Sequence, residues 1–179
     1  MCNIAVIDIE TSGFSHYTNA LCQIGGIIVK PNFELVATFD NYIKPYGKIY
    51  SEKAFTINNL PEAFLEEHGE PLGVVINDFI NFIFENNVSI LVGHNFNFDK
   101  RFLVETIKQS YLVKAMLFNN IKVIDTAKMP WPKFLKDKKL ETICKYYGIV
   151  YSGKHNAMHD CESTLALYKM VEYNKRMFV

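Results

Sequence analysis

The stretch Ala5-Val6-Ile7-Asp8-Ile9-Glu10-Thr11 sets two carboxylates into an apolar, β-branched run. From Asn3 to Asp8 the composition is that of a central strand. Side chains alternate along a strand, so Asp8 and Glu10 share one face and Ile7 and Ile9 the other. Two neighbouring carboxylates at the end of a buried strand repel each other, and each is costly to desolvate without a compensating cation. Either the strand emerges into solvent here, or the pair offers hard oxygen ligands to a divalent metal ion. The remaining chain has to enclose an apolar strand and leave its carboxyl end open.

The 179 residues are 49% hydrophobic and 21% charged, enough for one well-formed core. That composition excludes a disordered tail, a collagenous repeat and a disulfide-dominated miniprotein. Lys+Arg and Asp+Glu both number 19, so the chain lacks the bulk positive charge that coats duplex nucleic acid non-specifically. An enzyme that holds a short strand end remains compatible, because metal ions supply positive charge locally. Cys2, Cys22, Cys144 and Cys161 form no C-x-x-C pair and no zinc-type spacing, and are expected as free thiols of a reducing cytosol. The opening Met-Cys-Asn-Ile has no basic region, and no apolar run approaches the ~20 residues that span a bilayer. A cytoplasmic protein with neither signal peptide nor membrane contact is expected.

Two further strands, Cys22 to Lys30 and Glu34 to Lys44, follow the first across short polar turns, which predicts an antiparallel meander. Residues 45–73 are rich in Pro and Gly and predict a loop-rich cover with one short helix around Pro61 to Glu67. From Val75 the period becomes helical, with Val75, Phe79 and Phe82 beside Ile76, Ile80 and Ile83. A strand over Ser89 to Gly93, a helix over Asp99 to Tyr111 and a strand over Ile121 to Asp125 come next. A helix over Lys139 to Tyr147 closes on Gly148, and a last helix runs after His155 to about Arg176. Strands 1, 4 and 5 are joined by helical crossovers and so run parallel. Residues 1–179 thus read as a single mixed α/β domain.

Two more segments carry carboxylates. His94-Asn95-Phe96-Asn97-Phe98-Asp99 follows a parallel strand, at the sheet edge where open α/β folds bind ligands. Asp99 there is either a ligand or a plain first-turn acid of the helix it opens. In His155-Asn156-Ala157-Met158-His159-Asp160, the aspartate falls on the helical stripe of Ala157, Cys161, Thr164, Leu167 and Tyr168. A lone Asp on a buried stripe needs a partner. His155 precedes it by about one turn, and His159 competes with His155 for any proton-transfer role.

In order, the patterns Asp-x-Glu-Thr, Asn-x-x-(Phe/Tyr)-Asp and His-x-x-x-x-Asp resemble the DEDDh (DnaQ-like) 3′–5′ exonucleases of the ribonuclease-H-like superfamily. That family includes proofreading exonucleases, ribonuclease T and oligoribonuclease. A tyrosine branch of the family carries Tyr four residues before the last aspartate, where this chain has Asn156, so the histidine branch is the match. The resemblance implies a ribonuclease-H-like mixed sheet with a three-strand antiparallel start, then parallel strands, and helices on both faces.

It also implies a reaction. Asp8, Glu10, Asp99 and Asp160 would bind two divalent ions, Mg²⁺ or Mn²⁺, spaced about 3.5–4 Å apart. Asp8 would bridge them, Glu10 and Asp160 would hold the ion bearing the nucleophilic water, and Asp99 would support the other. His155 would act as general base. The partner would be the 3′ end of single-stranded DNA or RNA, released as 5′-mononucleotides. Thr11 and the following turn would bind the terminal nucleotide, with Phe14 as a wedge against its base and Phe98 against its sugar or base. His94 and Asn95 would orient ligands or touch substrate. Asp125 is taken as a supporting residue and Trp131 as a packing anchor, while Lys100, Arg101 and Lys154 read as a solvated face or phosphate contacts. A catalytically silent nucleic-acid adaptor and a phosphodiesterase for small nucleotides are the alternatives. Association with a polymerase or a second copy is left open by the sequence.

Overall fold

The structure, a computed structural model, describes residues 2–110, 121–151 and 155–177. Five strands form one sheet: β1 (Asn3–Thr11), β2 (Leu21–Val29), β3 (Leu35–Tyr42), β4 (Val88–Gly93) and β5 (Lys122–Asp125). Their order is β3-β2-β1-β4-β5, which puts the carboxylate-bearing strand in the middle. β1 runs antiparallel to β2, with Asp8 opposite Gly25 and Glu10 opposite Gln23, and β2 antiparallel to β3. β4 lies parallel to β1 on one side and to β5 on the other. The antiparallel meander and the parallel crossovers are both as expected.

The stretch after β3 departs from expectation. It contains two short helices, α1 (Glu52–Asn58) and α2 (Glu62–His68), before α3 (Leu72–Glu85). At seven residues α1 is too short to show helical periodicity between its Pro- and Gly-rich flanks, and it stops at Asn59, whose φ of 56° is left-handed. α3 begins at Leu72, ahead of Val75, directly after Pro71, whose missing N–H costs no helical hydrogen bond at that end. α4 (Asn97–Ser110), α5 (Leu140–Tyr146) and α6 (Ala157–Met177) complete the described helices, and the expected end of α4 at Tyr111 lies outside the described residues.

Helices cover both faces of the sheet. On one, Ala5, Ile7 and Ile9 of β1 pack against Val75, Phe79 and Ile83 of α3 and Phe102 and Leu103 of α4. On the other, Ile4, Val6, Ile27 and Val29 meet Cys161 and Tyr168 of α6. Alternation along β1 therefore sends Asp8 and Glu10 to the α6 side. Trp131 is a packing anchor: it is buried with Leu140, Ile143 and Leu167, and its Nε1–H donates to the Thr126 carbonyl at 2.7 Å. The four cysteines are free thiols, of which only Cys2 is exposed.

Close approach of α6 to the sheet depends on Gly25. A Cβ there would stand 2.5 Å from the Ala157 carbonyl carbon, so any side chain would push the start of α6 away from β2. Gln23, fully buried, fixes the same junction by accepting from Ala157 N–H at 3.1 Å and donating to Asp40 Oδ1 at 2.7 Å. Among the described residues no helix is long and apolar enough to cross a membrane.

Candidate active site

Three elements deliver the carboxylates. β1 carries Asp8 and Glu10, and the first turn of α6, held down on Gly25, brings Asp160 to them. One oxygen from each of Asp8, Glu10 and Asp160 lies within 4.8 Å of the others. Asp99 enters from the first turn of α4, where its Oδ1 accepts from the Ile9 N–H at 3.2 Å, between the two acids of β1. It stands outside the tight cluster. The four acids, His155, Thr11, Phe14, His94, Asn95 and Phe98 all line a single cavity of about 780 Å³ at the carboxyl ends of β1 and β4.

The cluster is electrostatically uncomfortable by itself. Burial lifts the Asp8 carboxyl well above its ordinary value, and the charges of Asp99, Asp160 and Glu10 lift it further. Glu10 is pushed up to about 8, chiefly by burial and then by Asp160, against a hydrogen bond from Asn58. Burial takes Asp99 to about 7 despite its backbone hydrogen bonds, and Asp160 to about 6 despite a hydrogen bond from Tyr151. Asp160 Oδ1 is buried without a hydrogen-bond partner, and among the described residues no Lys or Arg forms an ion pair with any of the four acids. Hard oxygens that no Lys or Arg neutralises, with an unspent acceptor on Asp160, fit a divalent cation.

Around this floor the other candidates take distinct places. His155 lines the cavity in a left-handed turn with φ 55°, whereas His159 is exposed, does not line the cavity and gives its backbone N–H to Asn156 Oδ1 at 3.2 Å. Phe14 is 78% exposed at the cavity mouth. Phe98 is half-buried, with its ring 5.0 Å from that of Phe102, so it serves the core and the cavity together. The Thr11 hydroxyl donates to the Gly13 carbonyl at 2.7 Å and shapes the turn before Phe14.

His94 engages both ring nitrogens, with Thr126 Oγ1 at 2.9 Å and the Lys138 carbonyl at 2.8 Å, and so ties the segment before α5 to the end of β4. The Asn95 N–H donates to Asp125 Oδ1 at 2.9 Å, and the same oxygen accepts from Ala127 N–H at 3.1 Å. Asp125 is thus a supporting residue for two turns. Lys100 and Arg101 do not line the cavity, and Lys154 lies outside the described residues.

Sequence reasoning missed three contributors. Asn58, at the end of the unexpected α1, donates to the Thr11 carbonyl at 3.1 Å and to Glu10. Tyr151 donates to Asp160, and Gly25 sets the height of α6. The Asn58-Asn59-Leu60-Pro61 run carried a helix-stop signal that could have revealed α1. Nothing local marks Tyr151 or Gly25, since their roles exist only across the fold.

Residues 5–168 match the RNase T family, described as exonuclease. The chain belongs to this exonuclease family. The resemblance drawn from its three motifs is borne out, and the chain is an exonuclease domain, a hydrolase. A PolC-type DNA polymerase III of Listeria innocua is 28% identical over 176 residues, covering 96% of this chain and 11% of that protein. The protein of the same name from Halalkalibacterium halodurans is 30% identical over 172 residues, covering 93% of this chain and again 11% of the relative. This chain therefore spans about a tenth of the length of these curated relatives. Among solved structures, Escherichia coli exonuclease I in complex with a dT13 oligonucleotide matches with a TM-score of 0.84 at 20% identity, over 99% of this chain and 43% of that one. That likeness shows the shared fold.

Proposed function

We propose that this exonuclease domain hydrolyses phosphodiester bonds at single-stranded or frayed 3′ ends of DNA or RNA, releasing 5′-mononucleotides by a two-metal route. The observation that carries the reading is the convergence of Asp8, Glu10, Asp99 and Asp160 in one cavity, with an unpartnered Asp160 oxygen at its floor and His155 at its wall. Asp8, Glu10 and Asp160 would hold one Mg²⁺ or Mn²⁺, and Asp99 with Asp8 would support a second. Such ions, when bound, supply Lewis-acid activation of water and positive charge for the departing oxygen. Four carboxylates carry four negative charges, which two divalent ions balance.

The chain's own groups do the rest. His155 accepts the proton of the attacking water, for which an imidazole is suited near neutral pH. Phe14 offers an exposed ring on which the terminal base stacks whatever its identity, and Phe98 flanks the sugar. His94 and Asn95 fix the turn at the end of β4 and so the entry of α4 that carries Asp99. The exonuclease I structure with bound oligonucleotide has the same fold and supports a single-stranded substrate. The PolC-type relatives support DNA-linked work and leave room for a polymerase partner.

The test uses 5′-labelled single-stranded DNA and RNA oligomers with Mg²⁺ or Mn²⁺. A ladder that shortens from the 3′ end, is abolished by EDTA and is lost in His155→Ala is the expected result. Folded wild-type protein giving no metal-dependent product on either polymer would overturn the proposal. A silent adaptor or a small-nucleotide phosphodiesterase would then take its place.

A further inference from the structure

The segment leading into α5 carries a second set of groups that the hydrolytic site does not use. Residues 128–145 hold six lysines against two acids, Asp137 and Glu141, in a chain whose net charge is zero. Lys128 pairs with Asp125 at 3.2 Å. Lys133, Lys136, Lys138, Lys139 and Lys145 are exposed and, among the described residues, in no ion pair.

Aromatic rings lie among these lysines. Buried Trp131 contacts Tyr147 at 5.5 Å between ring centroids, Tyr147 contacts Tyr146 at 4.8 Å, and Tyr146 contacts Phe134 at 5.4 Å. The ladder starts in the core and ends in the open, with Tyr146 48% and Phe134 73% exposed. Core packing accounts for Trp131 but not for a phenylalanine left this bare. The segment that carries these rings adjoins the site, although Phe134 and Tyr146 themselves lie outside both cavities. Lys138, Lys139, Glu141 and Tyr151 line the main cavity, and Glu141 and Tyr151 also line a smaller one of about 250 Å³ that reaches Lys145.

We propose that Phe134 and Tyr146, with the lysines around them, form a track that holds the single strand upstream of the 3′ nucleotide being removed. This inference rests on the exonuclease reading and narrows its substrate to a single-stranded polynucleotide several residues long. Exposed rings anchored to the core stack on unpaired bases irrespective of sequence, and the ammonium groups meet the phosphates between them. A duplex has its bases stacked internally and cannot use the rings. An acidic protein partner would also meet the lysines, but it would not make hydrolysis depend on substrate length.

The experiment compares kcat/KM for a dinucleotide and a single-stranded decamer, as DNA and as RNA, for wild type and for Phe134→Ala/Tyr146→Ala. Both side chains are exposed, and a thermal melt checks that the fold is kept. Wild type is expected to favour the decamer, and the double variant to lose about tenfold on the decamer with little change on the dinucleotide. Lys133→Gln/Lys136→Gln is expected to reduce the slope of log binding against log salt by about 1 to 2. Anisotropy of a labelled decamer in EDTA reads the track without catalysis, with about tenfold weaker binding expected in the aromatic variant. An unchanged length preference together with unchanged decamer binding would overturn the track. Wild-type failure to cleave either substrate, with binding still weakened in the variant, would instead overturn the exonuclease reading alone.

Discussion

β1 serves two purposes on its two faces. Ala5, Ile7 and Ile9 face α3 and α4 in a dry apolar cluster, while Asp8 and Glu10, interleaved with them, face a cavity beneath α6. The first face contributes stability by burying carbon, roughly 25 cal/mol for each Å² removed from water. The second buries Ile4 and Val6 but adds a cost at its open end, since Glu10 held at about 8 and Asp8 lifted well above the ordinary carboxylate range report charges that the fold disfavours. The strand is central because its apolar residues fill both helical layers. That rigid setting lets the chain keep four acids together at one edge. Stability and chemistry are separated by one residue of register.

The largest effect expected comes from exchanging damage between the faces. Asp8→Asn should lower metal-dependent hydrolysis about a thousandfold or more, the loss of several kcal/mol of charge stabilisation, while the metal-free protein melts no lower than wild type. Ile7→Ala should do the reverse, costing about 2–5 kcal/mol of stability with turnover per folded molecule nearly intact. Activity assays beside thermal melts check both. Next in size is the proton acceptor. His155→Ala should cost about 10²–10⁴-fold in kcat, and His159→Ala no more than a few fold, as read by steady-state kinetics.

Gly25→Ala sharpens the comparison because it touches both roles. Its Cβ would collide with the Ala157 backbone, so about 1–3 kcal/mol of stability should go. Turnover should fall by about tenfold as Asp160 is lifted from Asp8, since misplacement of this order weakens a preorganised site. The smallest signal is a slope. In the folded, metal-free protein the raised carboxyls bind protons that unfolded carboxyls have released, from their ordinary values near 4 up to about 6 for Asp160, 7 for Asp99 and 8 for Glu10. Stability is therefore greatest below that window and falls as pH rises through it, on the order of 1 kcal/mol per pH unit for each proton lost. Melts from pH 5 to 8 check this, and Mn²⁺ should flatten the curve.

Much of this was legible in the sequence because the signals were local. Alternation in β1 announced the two faces, the 3.6-residue stripe of α6 announced that Asp160 points inward, and the turn signals separated three antiparallel strands. Even Trp131 was readable as an anchor. The rest was not local. α1 is too short for periodicity to mark it, and with it went Asn58, which reaches Glu10 across the fold. Asp99 looks like an ordinary first-turn acid until its bond to the Ile9 N–H is seen, and Gly25 like any strand glycine until α6 lies on it.

The central claim is that Asp8, Glu10 and Asp160 form a cation site in which bound metal replaces protons. Calorimetric titration of Mn²⁺ into the protein at pH 7, repeated in two buffers of different ionisation enthalpy, tests it directly. The account predicts saturable binding with net release of protons from the raised carboxyls, and loss of both in Asp160→Asn. Binding that releases no proton, or that survives unchanged in Asp160→Asn, would contradict it.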